Sequence, residues 1–159
     1  MIIRKIEKRD NAELAKLIRE VFVEHDAPKE GTVYSDPTTD DLFELFKEPR
    51  SVLWVAESEG SLAGCSGVFP TEGLPENCAE LVKVYLSAAA RGTGIGRALM
   101  QKSISSAVEL GYTQLYLESL SEFSKAVSIY EKLGFVRLDK PLLNSVHVTC
   151  NIWMVKDIS

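Results

Sequence analysis

The sequence contains few of the residues that bind metals or form disulfides. Its three cysteines, Cys65, Cys78 and Cys150, are far apart and odd in number, and it has only two histidines. The histidines and acids show no metal-ligand spacing, so we expect neither a metal site nor a disulfide framework. We expect each thiol to be a small buried hydrophobe in the reducing environment of the cytoplasm.

An excess of positive charge and long apolar runs are also absent. Lysine and arginine total 18 against 23 aspartates and glutamates, for a net charge of −5, and no basic stripe is interleaved with aromatic residues. Nucleic-acid binding is therefore not expected. No apolar run reaches the roughly 18 residues of a membrane span. The N-terminus is charged from Arg4 on and lacks the apolar core of a signal peptide. We expect a cytoplasmic protein without a membrane partner.

The 159 residues, 45% of them hydrophobic, suit one domain with its own core, residues 1–159. Hydrophobic periodicity and turn residues predict the element order β-α-α-β-β-β-α-β-α-β-β. Early strands joined by hairpins, one with a turn at Glu59-Gly60, should be antiparallel, whereas a later strand–loop–helix–strand unit should join two parallel strands. The predicted fold is α/β (α+β), a mixed sheet with helices on both faces. The helix of that unit should bury Leu99, Ile104 and Val108.

One stretch, RGTGIGRALM at residues 91–100, uses three of the ten glycines at alternate positions. A turn needs one or two glycines, so three indicate a backbone that is approached closely and presents its N–H groups. Because a helix is predicted to follow, free N–H donors and the helix dipole would form an anion site there. Arg91 and Arg97 add positive charge. A diphosphate suits such a site, because it accepts several parallel N–H donors.

The three glycines also fit different kinds of loop. A P-loop needs a longer loop and a following Lys, which the stretch lacks. The dinucleotide pattern GxGxxG is matched by Gly92 and Gly94 but fails at Arg97. Glu118 lies near the end of the next predicted strand, where a ribose-binding acid is sought, so a nicotinamide or nucleotide-binding enzyme is one alternative. A tight turn whose glycines only allow a helix to pack on a strand is another.

The stretch resembles the acetyl-CoA-binding loop of the GCN5-related N-acetyltransferases (the GNAT family). Arg91, Gly94 and Gly96 fill that family's pattern Arg/Gln-x-x-Gly-x-Gly/Ala. AVSIYEKLGF, residues 126–135, is similar to a second family signature, and the resemblance extends over most of the chain from about Val52. It implies a GNAT-like, mostly antiparallel sheet with a central splayed parallel pair. It also implies an N-acetyltransferase that moves an acetyl group from acetyl-CoA to a primary amine of a small molecule or peptide, by direct attack in a ternary complex.

The resemblance further implies where the coenzyme binds. The central strand splays from its neighbour at a bulge, where backbone groups of Val84, Tyr85 and Leu86 would pair with the pantetheine arm. The loop would hold the diphosphate through its N–H groups, and its residues are Arg91, Gly92, Thr93, Gly94, Ile95, Gly96 and Arg97. The thioester would lie in the split of the sheet, and no metal is required.

Two residues are candidates for moving protons. Tyr130 matches the family tyrosine that is often given the role of protonating the leaving thiolate beside the coenzyme; a core aromatic is the alternative. Glu80 is the candidate base, directly or through a water. Strand alternation places it on the mostly apolar face of Val82, Val84 and Leu86, which would raise its pKa. A surface glutamate at the end of a strand is the alternative.

The acceptor site is less well defined. His25 and Tyr34 are candidates for lining it, or else are ordinary loop residues. The first helices and their loop are acidic, which would attract a cationic amine, although a solvated acidic surface gives the same composition. His147, in or beside a late strand, is expected to be structural.

One position departs from the family pattern. Many members carry Asn seven residues before the tyrosine; here that residue is Phe123, and Ser121 or Ser124 could supply the missing hydrogen bond. A module that binds acetyl-CoA as a sensor without catalysis, or that forms a homodimer through an exposed sheet edge, is a further alternative. The presence of Glu80 and Tyr130 favours catalysis over sensing.

Overall fold

Seven strands form a single sheet in the computed structural model, which describes residues 1–143 and 149–159. The sheet order is β1-β2-β3-β4-β5-β7-β6, and only β4 and β5 pair in parallel. The strands are β1 Ile2–Lys5, β2 Val52–Ser58, β3 Ser61–Phe69, β4 Cys78–Leu86, β5 Gln114–Ser119, β6 Val136–Arg137 and β7 Ile152–Asp157. The predicted element order and the mixed, mostly antiparallel sheet are confirmed.

In the part of the chain that the structure describes, four α-helices cover the two faces of the sheet. They are α1 Asn11–Glu24, α2 Leu42–Leu45, α3 Ile95–Glu109 and α4 Ser124–Lys132, and 3-10 turns lie at Lys8–Asp10, Pro37–Asp40, Ala88–Ala90 and Ser121–Phe123. The apolar side of α1 packs with Leu53, Val55 and Cys65 on one face. Residues of α3 and α4 pack with Leu81 and Leu115 on the other. Each helix thus buries a single stripe against the sheet, as amphipathic helices do.

A β-bulge in β4 changes which residues share a face. Cys65 pairs with Tyr85 and Gly67 pairs with Val82, so two residues of β4 oppose one residue of β3. Lys83 lies in this bulge and has a left-handed backbone, with φ of 56°. One extra residue inverts the alternation of side chains beyond it.

The bulge corrects one prediction made from alternation. Val82 packs on the face that α1 covers, together with Tyr85. Val84 and Leu86 pack instead with the clusters of the opposite face. The expectation that Glu80, Val82, Val84 and Leu86 share one face is therefore wrong, because the alternation holds only as far as the bulge.

The sheet opens between its two parallel strands. β4 extends to Leu86, but it pairs with β5 only from Cys78 to Glu80. Along its whole length β5 pairs with β7 on its other edge. Beyond Glu80, the edge of β4 that faces β5 has no strand partner within the described ranges. The resulting split is the splayed parallel pair that the family resemblance implied.

The buried stripe of α3 differs in part from the predicted one. Val108 is 50% exposed, and α3 instead buries a stripe that includes Leu99, Met100, Ser103 and Ala107. Small residues let this helix approach the sheet, which apolar periodicity alone does not reveal.

His147, predicted to be structural, lies outside the described residues. Within those residues, the helices are all too short or too polar to cross a membrane.

Candidate active site

The split in the sheet opens into a cavity of about 1280 Å³. This volume exceeds that of a typical site for one small ligand. β4 forms its floor from Glu80 to Leu86, and α1, β5, α4 and the glycine loop supply its walls. The cavity therefore extends from the face that carries α1, through the split, to the loop before α3.

The glycine loop presents a series of free backbone donors. Gly92 and Gly94 have φ of 75° and 88°, and a Cβ atom at either position would meet no atom within 4 Å. The first helical hydrogen bond of α3 runs from Ala98 N to Gly94 O, so the N–H groups of residues 92–97 have no acceptor among the described residues. Such an array at a helix N-terminus binds anions.

The third glycine of the loop, Gly96, is required for packing rather than for its backbone conformation. A Cβ on Gly96 would lie 2.6 Å from Leu86 Cδ1, so this glycine lets α3 pack directly on β4. The alternative that the glycines serve packing holds for Gly96. For Gly92 and Gly94 the requirement is the left-handed backbone.

Arg91 is already held by the protein itself. Its guanidinium lies 2.8 Å from Glu24 Oε2 and donates to the Leu86 carbonyl at 3.4 Å. Arg97 is exposed on the first turn of α3, and the Thr93 hydroxyl donates to the Ala90 carbonyl. Arg91 thus ties the glycine loop to α1 and to the end of β4, in addition to supplying positive charge.

Glu80 lies on the cavity floor, in surroundings that raise the pKa of its carboxyl to near neutral pH. Burial is the main cause that raises the pKa of its carboxyl, a hydrogen bond from Thr71 lowers it, and the nearby charges of Glu118 and Lys83 respectively raise and lower it. The net pKa is about 7. The Thr71 hydroxyl donates to Glu80 Oε1 at 2.7 Å. A carboxyl with a pKa close to the ambient pH can both accept and release a proton.

A second carboxylate stands beside Glu80 on the neighbouring strand. Tyr116 pairs with Glu80 across the parallel ladder, and its hydroxyl donates to Glu118 Oε2 at 2.7 Å. The Leu142 N–H donates to the same hydroxyl at 3.2 Å. Tyr116 is fully buried. The two acids therefore form a pair at the cavity wall, and Tyr116 fixes the direction of one of them.

Tyr130 projects from α4 into the same cavity. It is 5% exposed, its ring contacts Phe135 edge-on at 5.9 Å, and burial raises the pKa of its phenol. Its hydroxyl donates no hydrogen bond to any acceptor in the described ranges, although the residue lines the cavity. A neutral phenol that faces a cavity is able to donate a proton to a bound group.

The two predicted acceptor residues lie in different surroundings. His25 lines the cavity, and its Nδ1–H donates to the Val21 carbonyl at 2.9 Å. Tyr34 is not among the lining residues. Its ring packs on Phe22 with 6.1 Å between the ring centres, and the cations of Arg19 and Lys29 lie 5.9 Å and 5.3 Å from the Tyr34 ring centre. Tyr34 supports the first loop rather than the cavity wall.

Phe123, at the position where many relatives have Asn, belongs to an aromatic cluster. Its ring lies 5.4 Å from Phe22, 5.3 Å from His25 and 6.4 Å from Tyr85. Of the two serines that could replace the Asn, Ser121 is hydrogen-bonded to Asn151, whereas Ser124 lines the cavity. Ser124 is thus the serine in a position to contact a ligand.

The thiols are not reactive groups of this site. Cys65 and Cys78 are buried as expected, while Cys150 is partly exposed and lines the cavity. Burial raises the pKa of Cys65 and Cys150 to about 12 and that of Cys78 to about 11, so all three are protonated at neutral pH. Among the residues with a described position, three or more His, Cys, Asp or Glu nowhere come together as a metal site.

Sequence reasoning missed several residues of this cavity. Thr71 lies in the loop between β3 and β4, and Asp36 lies in the loop between α1 and α2. Only the folded chain brings Thr71 to Glu80 and Asp36 to the neighbourhood of Lys83. Lys83 does carry a signal in the sequence, since it is the one charge in the apolar run LVKVYL. Glu118, a candidate ribose ligand by sequence, lies instead beside Glu80.

Comparison with known proteins agrees with this geometry. A sequence model of the acetyltransferase (GNAT) family matches residues 16–135. An uncharacterized N-acetyltransferase of Escherichia coli (strain K12), YjgM, is 32% identical over 158 residues, which cover 99% of this chain and 95% of that protein.

Solved structures share the fold across the whole chain. An acetyltransferase of the GNAT family from Staphylococcus aureus Mu50 superposes with a TM-score of 0.85 at 19% identity, over 99% of both chains. The putative acetyltransferase yncA of Salmonella typhimurium, solved with acetyl-CoA, gives 0.80 at 18% identity over 100% of this chain and 94% of that one. These structures show the fold, and the family model together with the E. coli relative establishes that the chain belongs to the acetyltransferase (GNAT) family.

Proposed function

We propose that the protein transfers the acetyl group of acetyl-CoA to a primary amine of a small molecule or peptide by direct attack in a ternary complex. The observation that carries this proposal is the arrangement of the cavity. The glycine loop reaches one end through Gly92, and the N–H groups of its residues 92–97 have no acceptor among the described residues; at the other end lies Glu80, a carboxyl of pKa about 7. Acetyl-CoA has a diphosphate and a thioester joined by an extended arm. The N–H groups suit the diphosphate, and the Glu80 carboxyl suits the reaction at the thioester.

The residues present fit the coenzyme. The open space at Gly92 and Gly94 lets a diphosphate approach the backbone donors closely. The edge of β4 from Val84 to Leu86 lines the cavity, and its backbone groups can pair with the amides of the pantetheine arm as a strand would. Bound there, acetyl-CoA supplies the activated acyl group.

Two residues would then move the protons. Glu80 removes a proton from the acceptor ammonium, directly or through a water, because its pKa of about 7 leaves it partly ionised at neutral pH. The freed amine forms a bond to the acetyl carbon as the bond to sulfur breaks. Tyr130 gives its proton to the departing sulfur, since burial keeps the phenol neutral. The second proton that the new amide nitrogen must lose then returns to the Tyr130 phenolate.

The alternative functions receive less support. Glu118 already accepts a hydrogen bond from Tyr116 and interacts with Glu80, which is not the setting of a ribose ligand. A sensor would need neither Glu80 nor Tyr130 in the cavity. A single domain over residues 1–159, a cytoplasmic location and a homodimer stay predictions.

Release of free thiol from acetyl-CoA, with mass spectrometry of the products, tests the proposal on a panel of primary amines. We expect thiol release that depends on the amine, with one acetylated product per thiol. Glu80→Gln should suppress it while leaving acetyl-CoA bound. Binding of acetyl-CoA without amine-dependent release across the panel would support the sensor instead.

A further inference from the structure

Lys83 is a cavity residue to which the proposed reaction assigns no role. It stands in the bulge of β4, three residues after Glu80 in the chain, and lines the cavity in an otherwise apolar stretch of strand. The left-handed backbone at φ of 56° is uncommon for a lysine. A bulge re-aims a side chain, and here the re-aimed side chain is a cation.

Among the residues that the structure describes, none forms an ion pair or a hydrogen bond with the Lys83 ammonium. Asp36, Glu80 and Cys65 interact with it electrostatically, yet no carboxylate of the described residues lies within 4.0 Å of it. Burial lowers its pKa, as expected of an ammonium that has left water without gaining a direct ion pair. By contrast, Arg4 and Arg19 have carboxylate oxygens at 2.8 Å and 2.6 Å.

The groups around Lys83 divide the acceptor side of the cavity by charge. Glu80 and Glu118 attract an ammonium, Lys83 attracts an anion, and Phe22, Phe69 and Phe123 line the cavity with apolar surface. A ligand that satisfies all three carries an amine, a nearby negative group and an apolar side chain. An unpaired cation in a partly buried site costs stability unless a ligand pairs with it.

We propose that Lys83 binds a carboxylate of the acceptor, and that the acceptors are compact α-amino acids with apolar side chains. This inference rests on the proposed function, since it names the substrate class of the same site. The α-amine would form the bond to the acetyl carbon as the carbon–sulfur bond breaks. One proton of the α-ammonium would pass to Glu80 before attack, and the departing sulfur would take a proton from Tyr130. The second proton that the new amide nitrogen must lose would return to the Tyr130 phenolate.

Matched pairs of acceptors test this assignment. The pairs are phenylalanine with phenethylamine and leucine with isopentylamine, which share an amine and a side chain and differ in the carboxylate. We expect kcat/KM of the wild-type protein to favour the amino acid in both pairs. In Lys83→Gln the ratio of the two kcat/KM values should fall by about ten- to a hundredfold, the usual effect of losing a hydrogen bond to a charged group.

The ratio isolates the contact with the carboxylate. Loss of Lys83 also removes a charge that lowers the pKa of Glu80, but this affects both members of a pair equally. Lys29→Gln is the matched control, because Lys29 is an exposed lysine of the neighbouring loop outside the cavity lining. It should leave the ratio unchanged.

A binding measurement covers the case in which Lys83→Gln folds poorly. In isothermal titration, the wild-type protein saturated with coenzyme A should bind N-acetylphenylalanine with higher affinity than N-phenethylacetamide. Equal binding, equal use of both acceptors, turnover of neither series, or an unchanged ratio in Lys83→Gln would overturn the assignment. If acetyl-CoA itself does not bind, the proposed function fails as well, which separates the two outcomes.

Discussion

The two ends of the cavity are built in different ways. At the coenzyme end, six consecutive N–H groups at residues 92–97 come from one loop and the first turn of one helix. At the acceptor end, the polar groups are side chains from separate parts of the chain: Asp36, Thr71, Glu80, Lys83 and Glu118. In the proposed complex the backbone donors bind acetyl-CoA, which the GNAT family uses, whereas the side chains of the acceptor end can differ from one member to another.

This difference has a physical consequence for each end. Backbone N–H groups do not titrate, and their positions follow from two left-handed glycines, so the coenzyme end should respond little to pH. At the acceptor end, the charges of Glu118 and Lys83 act on the pKa of Glu80, and Glu80 acts on the pKa of Lys83, so that end should depend on pH and on single substitutions.

The largest effect should come from the acceptor end, with Glu80→Gln. The amide cannot accept the proton of the amine, and we expect kcat/KM to fall by about 10²- to 10⁴-fold. In the wild-type protein kcat/KM should rise with pH through about 7, because the carboxylate is the active form. In the variant this rise should be absent. Activity near the wild-type level would show that Glu80 is not the base.

Tyr130→Phe tests the group that is proposed to protonate the departing sulfur. The ring contact with Phe135 is kept and only the hydroxyl is lost, so we expect turnover to fall by about ten- to a thousandfold. Acetyl-CoA affinity, measured by titration calorimetry, should change little. Full turnover would assign Tyr130 to the core alone.

Gly94→Asp probes the coenzyme end. The left-handed backbone at φ of 88° tolerates Asn and Asp similarly, so Gly94→Asn serves as the matched control for strain. The added carboxylate would face the diphosphate, and we expect affinity for acetyl-CoA to be about tenfold weaker in Gly94→Asp than in Gly94→Asn, or ~1.4 kcal/mol. Equal affinities in calorimetry would place the diphosphate elsewhere.

The smallest effect is a shift of the pH profile. Thr71→Val removes a hydrogen bond that favours the Glu80 carboxylate, so the pKa of Glu80 should rise. The midpoint of the kcat/KM profile should then move up by about one pH unit. Glu118→Gln removes a nearby negative charge and should move the midpoint down. Shifts of the same sign in both variants would contradict this account of Glu80.

The same contrast explains what could be predicted from the sequence. The glycine loop is predictable because its function depends on local backbone, which glycine positions encode. Glu80 is predictable as a cavity acid, but alternation wrongly extends its face to Val84 and Leu86, because the bulge at Lys83 leaves no mark in the periodicity. The pairing of Glu118 with Glu80 depends on the register of two parallel strands, which apolar periodicity does not specify.

Isothermal titration of the purified protein with acetyl-CoA, with NADH and ATP as controls, tests the central claim most directly. The claim is that the glycine loop binds the diphosphate of coenzyme A. We predict micromolar binding of acetyl-CoA and no comparable heat with NADH or ATP. Absence of acetyl-CoA binding, or a preference for NADH, would contradict the role assigned to residues 92–97 and the acetyl transfer built on it.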